Sequence, residues 1–212
     1  GIAGALNEQL IDISKEDPKE LKKLIHTPGG AFGSCRIKLK DPIKNKKEFQ
    51  RILEVFKAHN IGYFFYNGGG DSQDTSLKVS NYCKEHGYNI ACIGYPKTID
   101  NDLPITDNCP GFGSVAKYIA ISTYEASLDV ASMANSSTKV FLLEVMGRHA
   151  GWLAASAGVI RDNISMPPHL ILLPEVVFNE KKFLLKVKKT VKEYGYCVVV
   201  ASEGIKNKNN KF

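Results

Sequence analysis

Apolar positions along this chain keep two alternating rhythms. Phe49, Ile52, Leu53 and Phe56 recur at helical spacing, Ile61 to Tyr66 reads as a buried strand, Leu77 to Lys84 as a helix and Ile90 to Gly94 as a second strand. The alternation continues through a helix from Ser114 to Asn135, the strand Val140 to Val145, a short helix after His149, the strand Leu170 to Leu173, the helix Lys181 to Tyr194 and the strand Cys197 to Ala201. Repeated strand and helix units with continuous apolar strands predict an α/β fold, a mostly parallel sheet with helices on both faces. Such sheets bind ligands at the carboxyl ends of their strands. The polar segments Gly68 to Ser72, Pro96 to Asp102, Met146 to Arg148 and Ser202 to Gly204 each follow a predicted strand, so all four are expected on one rim.

The segment Tyr95-Pro96-Lys97-Thr98-Ile99-Asp100-Asn101-Asp102 carries the strongest chemical signal. Its two carboxylates can take a proton from an attacking hydroxyl or hold a divalent cation, and its ammonium can offset charge building up on a transferred phosphate. In Asn67-Gly68-Gly69-Gly70-Asp71-Ser72, three glycines lead into a helix, which suits either an oxyanion at a helix N-terminus or a tight turn capped by Ser or Asp. Asp71 favours a short anion. Two like charges roughly 4 Å apart in an intermediate dielectric cost about 4 kcal/mol, so a carboxylate there repels a long polyphosphate and leaves room for a short one.

Other segments are open to two readings. Pro110-Gly111-Phe112-Gly113-Ser114 is a helix entrance capped by Ser114 or a second phosphate-facing helix start. Arg148, beside Gly147, is a surface arginine or a guanidinium gripping a phosphate with two nitrogens. The glycine-rich stretch Thr27 to Arg36 is a flexible surface loop or the carrier of a phosphate-binding arginine, and Glu203 is a solvated acid or a hydrogen-bond partner of a sugar hydroxyl. Trp152 is expected in the core.

Composition narrows the classes. The 212 residues, 43% hydrophobic, suffice for one sizeable packed core. The net charge of +6 comes largely from lysines between Lys181 and Lys192 and between Lys206 and Lys211, read as solvated faces suited to anionic small substrates. No aromatic and basic stripe of the kind that docks nucleic acid is present. Five cysteines without a C-x-x-C pair read as reduced, mostly buried thiols of a cytoplasmic protein, and five histidines without ligand spacing give no zinc signature. No apolar run approaches the roughly 18 residues of a membrane span, and no secretory signal pattern opens the chain.

Taken together, these residues closely resemble the phosphofructokinases, most specifically in Pro96 to Asp102 and Glu144 to Trp152. The resemblance implies a Rossmann-type three-layer αβα lobe over residues 1–205, followed at 206–212 by a polar tail or the start of a linker. It implies that both ends are cut from a longer protein, with the family's first glycine loop and second lobe lying outside the chain, and that the isolated 212 residues are inactive. Within the family the chain looks most like the pyrophosphate-dependent branch, through Asp71 and Lys97, where ATP-using relatives generally or often have glycine. The implied reaction is reversible, Mg2+-dependent transfer of a phosphoryl group from pyrophosphate to the 1-hydroxyl of fructose 6-phosphate in glycolysis, by a homo-oligomer when full length.

Carried over by position, the resemblance makes Asp100 the general base, places Thr98, Ile99 and Asp102 beside it, and gives Asp102 to the metal. Lys97 would stabilise the pyrophosphate transition state, Asp71 would occupy the place of a nucleotide's α-phosphate, and Gly68, Gly69, Gly70 and Ser72 would bind phosphate. Met146, Gly147, Arg148 and Glu203 match the sugar-phosphate site, Arg36 an arginine reaching the transferred phosphate, and Lys139 an arginine serving a neighbouring subunit. At Gly70 the family usually has Asp or Asn, which helps hold Mg2+. The alternatives are an ATP-dependent phosphofructokinase and a non-catalytic phosphosugar-binding regulatory subunit.

Overall fold

The computed structural model describes residues 1–27 and 29–209, so Pro28 of the glycine-rich loop and positions 210–212 of the expected tail lie outside the described residues. The chain divides into two compact units, Gly1–Lys97 and Thr98–Phe212.

The first unit is built on two parallel strands, β1 (Tyr63–Gly68) and β2 (Ala91–Pro96), paired in register from Tyr63 with Ala91 to Gly68 with Pro96. Three of its helices are α1 (Ile2–Leu6), α2 (Pro18–Lys23) and α3 (Lys46–Ala58); α4 (Gly70–Glu85) is the connection that carries β1 over to β2. The spacing that predicted α3 is the spacing of its buried face: Phe49, Ile52, Leu53 and Phe56, joined by Val55. Phe49, Ile52, Leu53 and Phe56 form a continuous core with Ile2, Leu39, Val79, Tyr82 and Cys83 against Phe64, Tyr66 and Cys92 of the strands. Burying each large apolar side chain contributes roughly 1.5 to 3 kcal/mol, so this face holds α3 to the unit. The opposite face of the sheet departs from the buried strand expected for β1. Tyr63 and Phe65 stay 70% and 53% exposed, and Phe65 stacks on Tyr95 of β2 at 5.8 Å, so these rings cover one another rather than meeting a helix.

The second unit contains a three-stranded parallel sheet in the order β3 (Val140–Val145), β5 (Cys197–Ser202), β4 (Leu170–Leu172). Central β5 is buried along its whole length, as its run of valines requires. Helices α5 (Phe112–Met133) and α6 (Trp152–Ser156) supply Ile119, Leu153 and Ala154 to a second core with Val145 and Val200. The last helix, α7 (Glu180–Tyr194), starts on Asn179, whose Oδ1 accepts from the Lys182 N–H at 3.0 Å, and ends at Gly195 in the left-handed region. Its lysines 181, 182, 186, 188, 189 and 192 are all exposed, which is the solvated face expected of them. Lys206 and Asn207 do not hang loose: the Lys206 carbonyl accepts from Phe178 N–H at 2.8 Å and Asn207 bridges Phe178.

Parallel sheets flanked by helices are thus present as expected, distributed between two units. Three further details differ from expectation. Helix α4 begins at Gly70, a full seven residues before Leu77, because its first two turns are polar and carry no apolar rhythm. Helix α5 begins at Phe112 with Gly111 at its cap, φ +87°, so Ser114 lies inside the first turn and caps nothing. Trp152 is 56% exposed; Leu153 and Ala154 take the buried face of α6.

All five cysteines are free, and Cys83, Cys109 and Cys197 are wholly buried. Burial pushes the Cys83 and Cys197 thiols up to about 11, so neither is a thiolate near neutral pH. In a thiol titration of the folded protein near pH 8, Cys35 is expected to react first and these three only after denaturant is added. Labelling of Cys83 or Cys197 in the folded state would contradict the packing described. No helix among the described residues is long and apolar enough to cross a membrane.

Candidate active site

In the first unit, the carboxyl ends of β1 and β2 bring the glycine loop and the lysine loop side by side. The Lys97 N–H donates to the Gly68 carbonyl at 2.8 Å. Gln73, on the first turns of α4, donates its Nε2 hydrogens to Gly68 O and Tyr95 O, both at 2.9 Å, and so ties the two strand ends together. The sequence marks Gln73 only as a polar residue one turn into a helix; its partners come from strand pairing. Gly69 caps α4, and its carbonyl accepts from the N–H groups of Ser72 and Gln73. No side chain caps this helix, so neither Ser nor Asp serves there. Ser72 turns its hydroxyl back over Gly68, where any Cβ would collide with it. Asp71 stands exposed in the first turn.

Lys38 is the second residue that sequence reasoning missed: its Nζ lies 2.7 Å from Asp71 Oδ1. Arg36 is exposed just before it, between Cys35, which packs on the first core, and Leu39, 1% exposed within that core. The arginine of the glycine-rich segment is thus held at both flanks.

In the second unit, Thr98 organises the acidic turn. Its hydroxyl donates to Asp102 Oδ1 at 2.8 Å and accepts from the Asp100 N–H at 3.1 Å, so one side chain orients both predicted carboxylate positions. Asn101, between them, is buried in the left-handed conformation at φ +57°, which asparagine tolerates better than most residues. Its Oδ1 accepts from Cys109 N–H at 2.8 Å and its Nδ2 donates to Asp107 O at 3.3 Å, pinning the turn to the following loop. Ile99 packs its side chain against the second core. Asp102 remains exposed.

The same unit joins Met146, Gly147 and Arg148 after β3 to Ser202, the last residue of β5, and to Glu203 and Gly204 beyond it. Glu203 N–H donates to Val145 O at 2.8 Å, and Ser202 Oγ donates to Gly147 O at 2.5 Å while accepting from Gly204 N–H at 3.0 Å. Two glycines are needed for this approach. Gly147 has φ +113°, and a Cβ at Gly204 would run into the Arg148 backbone. Arg148 Nη2 lies 3.6 Å from Glu203 Oε2, and the arginine side chain is 61% exposed. Met146 is exposed as well. Lys139 is not part of this group. It precedes β3 at the opposite end of the sheet, on the order of 20 Å away at about 3.3 Å per strand residue, and its ammonium binds the Ala134 carbonyl at the end of α5. Among the described residues, no three His, Cys, Asp or Glu side chains cluster so as to hold a metal ion.

Parallel α/β units with glycine turns and with acid, lysine and arginine groups at their strand ends make up the candidate site. The phosphofructokinase family model matches residues 1–212, and the chain belongs to that family. It is 57% identical over all its residues to the pyrophosphate–fructose 6-phosphate 1-phosphotransferase of Halomonas elongata and 58% identical to that of Xanthomonas campestris, in each case covering 51% of the relative. The crystal structure of the pyrophosphate-dependent phosphofructokinase from Marinobacter aquaeolei superposes with a TM-score of 0.86 at 63% identity, covering 98% of this chain and 51% of that one. The chain therefore spans about half the length of the curated relatives it matches.

Proposed function

We propose that the protein to which these residues belong transfers a phosphoryl group from pyrophosphate to the 1-hydroxyl of fructose 6-phosphate, reversibly. The observation that carries this reading is Asp71: an exposed carboxylate in the first turn of α4, directly after the glycine loop, held by an ammonium at 2.7 Å. A nucleotide chain extending past two phosphates would meet that charge, whereas a diphosphate ends before it. The identity with relatives named for pyrophosphate supports the same donor.

On this reading the first unit supplies the donor side. Gly68, Gly69, Gly70 and the start of α4 offer N–H groups to phosphate oxygens, with Ser72 supporting the loop through its contact with Gly68. Lys97 and Arg36 offset the charge that spreads over the oxygens of the phosphoryl group in flight. The second unit supplies the acceptor side. Asp100 takes the proton of the sugar's 1-hydroxyl; Thr98 and Asn101 fix the turn, and Ile99 anchors it in the core. Arg148, Glu203, Met146 and Gly147 hold the sugar phosphate, the arginine by its exposed fork. Lys139, at the far end of β3, suits a neighbouring copy in a homo-oligomer rather than its own strand ends.

Magnesium binds through one or two carboxylates plus substrate phosphates and keeps several waters. Exposed Asp102, oriented by Thr98, fits that pattern without a dedicated three-ligand cage. When bound, the ion neutralises diphosphate charge. Gly70 adds no ligand, although the position is sterically open: a Cβ there meets nothing within 4 Å. Steady-state assays of the whole protein with each donor test the reading. Turnover with pyrophosphate and little with ATP is expected, and strong ATP use with negligible pyrophosphate use defeats it.

A further inference from the structure

Lys38 belongs to a segment with no regular secondary structure, yet its place is fixed. Leu39, next in the chain, is buried in the first core. The carbonyl of Lys40 accepts from Lys78 Nζ, and the same ammonium binds Asp74, one turn after Asp71 on α4. Lys38 and Lys40 are therefore fastened to one face of the helix that opens on the glycine loop, and Leu39 between them to the core. Lys38 delivers its ammonium to Asp71 Oδ1 at 2.7 Å, and the two side chains are 59% and 64% exposed, open to an arriving ligand. The hydrogen bond to Asp71 raises the Lys38 pKa above its ordinary value.

A bare carboxylate repels a short phosphate donor as well as a long one. The Lys38 ammonium, 2.7 Å from Asp71 Oδ1, offsets that repulsion. We propose that Lys38 is a specificity-determining residue for the phosphoryl donor: paired with Asp71, it lets a diphosphate approach while keeping the carboxylate fixed where a third phosphate would lie. The proposal rests on the donor reading above and adds to it the residue that makes Asp71 tolerable to the short donor.

The test is a double-mutant cycle in the whole protein, with pyrophosphate varied at saturating fructose 6-phosphate. Lys38→Met is expected to raise the KM for pyrophosphate about tenfold, with kcat within about twofold, and Lys38→Arg to stay within about threefold of the starting KM. In an Asp71→Asn background the same Lys38→Met change is expected to shift KM by no more than about twofold, since coupled neighbours are non-additive. An unchanged KM in Lys38→Met, or an equal shift in both backgrounds, overturns the proposal alone. Absence of pyrophosphate turnover in the unsubstituted enzyme overturns the donor reading and this proposal with it.

Discussion

Asp100→Asn is expected to lower kcat for fructose 6-phosphate phosphorylation by about a thousandfold, within the 100- to 10,000-fold range typical of a positioned general base. The amide is nearly the same shape, and the backbone N–H of residue 100 still donates to Thr98 Oγ1, so the turn and its Asn101 anchor stay intact. The KM for the sugar phosphate is therefore expected to change by less than about threefold, since the groups assigned to sugar-phosphate binding are elsewhere. Rapid-mixing or coupled assays that left kcat within a factor of ten would remove Asp100 from the role of base.

The second large effect concerns the donor. Asp71→Gly combined with Lys97→Gly is expected to move the ratio of kcat/KM for ATP over pyrophosphate by at least about a hundredfold, the order that a few kcal/mol of like-charge repulsion at about 4 Å implies. On the proposed reading, removing Asp71 opens the space beyond the second phosphate and removing Lys97 withdraws a charge needed most by the short donor. The Lys97 N–H bond to Gly68 survives the change, so the strand ends remain paired. An unaltered donor ratio would separate these two side chains from donor choice.

Much of the fold could be read from apolar spacing because those positions are the ones that pack. Phe49, Ile52, Leu53 and Phe56 mark α3, and the valines of β5 mark a strand covered on both sides. The spacing was silent where an element begins in polar residues, which is why α4 extends back to Gly70 through Asp71, Ser72, Gln73 and Asp74. It also misassigned Trp152, since a large ring beside Leu153 and Ala154 does not reveal which face of a five-residue helix turns inward.

The chemical residues followed a similar division. Strand ends exposed the glycine loop, the lysine and the acidic turn in the sequence, because those side chains are set by local position. Gln73, Asn101 and Lys38 act through partners distant in the chain or in the backbone, and no local spacing distinguishes them from ordinary polar residues.

The wiring of the glycine turn has one more effect. Gly68 O already receives Lys97 N–H and Gln73 Nε2, and Gly69 O receives Ser72 N–H and Gln73 N–H. A carbonyl has two lone pairs, so both oxygens are saturated from within. The lip of the turn can offer a visitor hydrogens but hardly any electron pairs. These two oxygens give a hydrated cation nothing to grip, so any cation held beside the turn has to find its partners elsewhere.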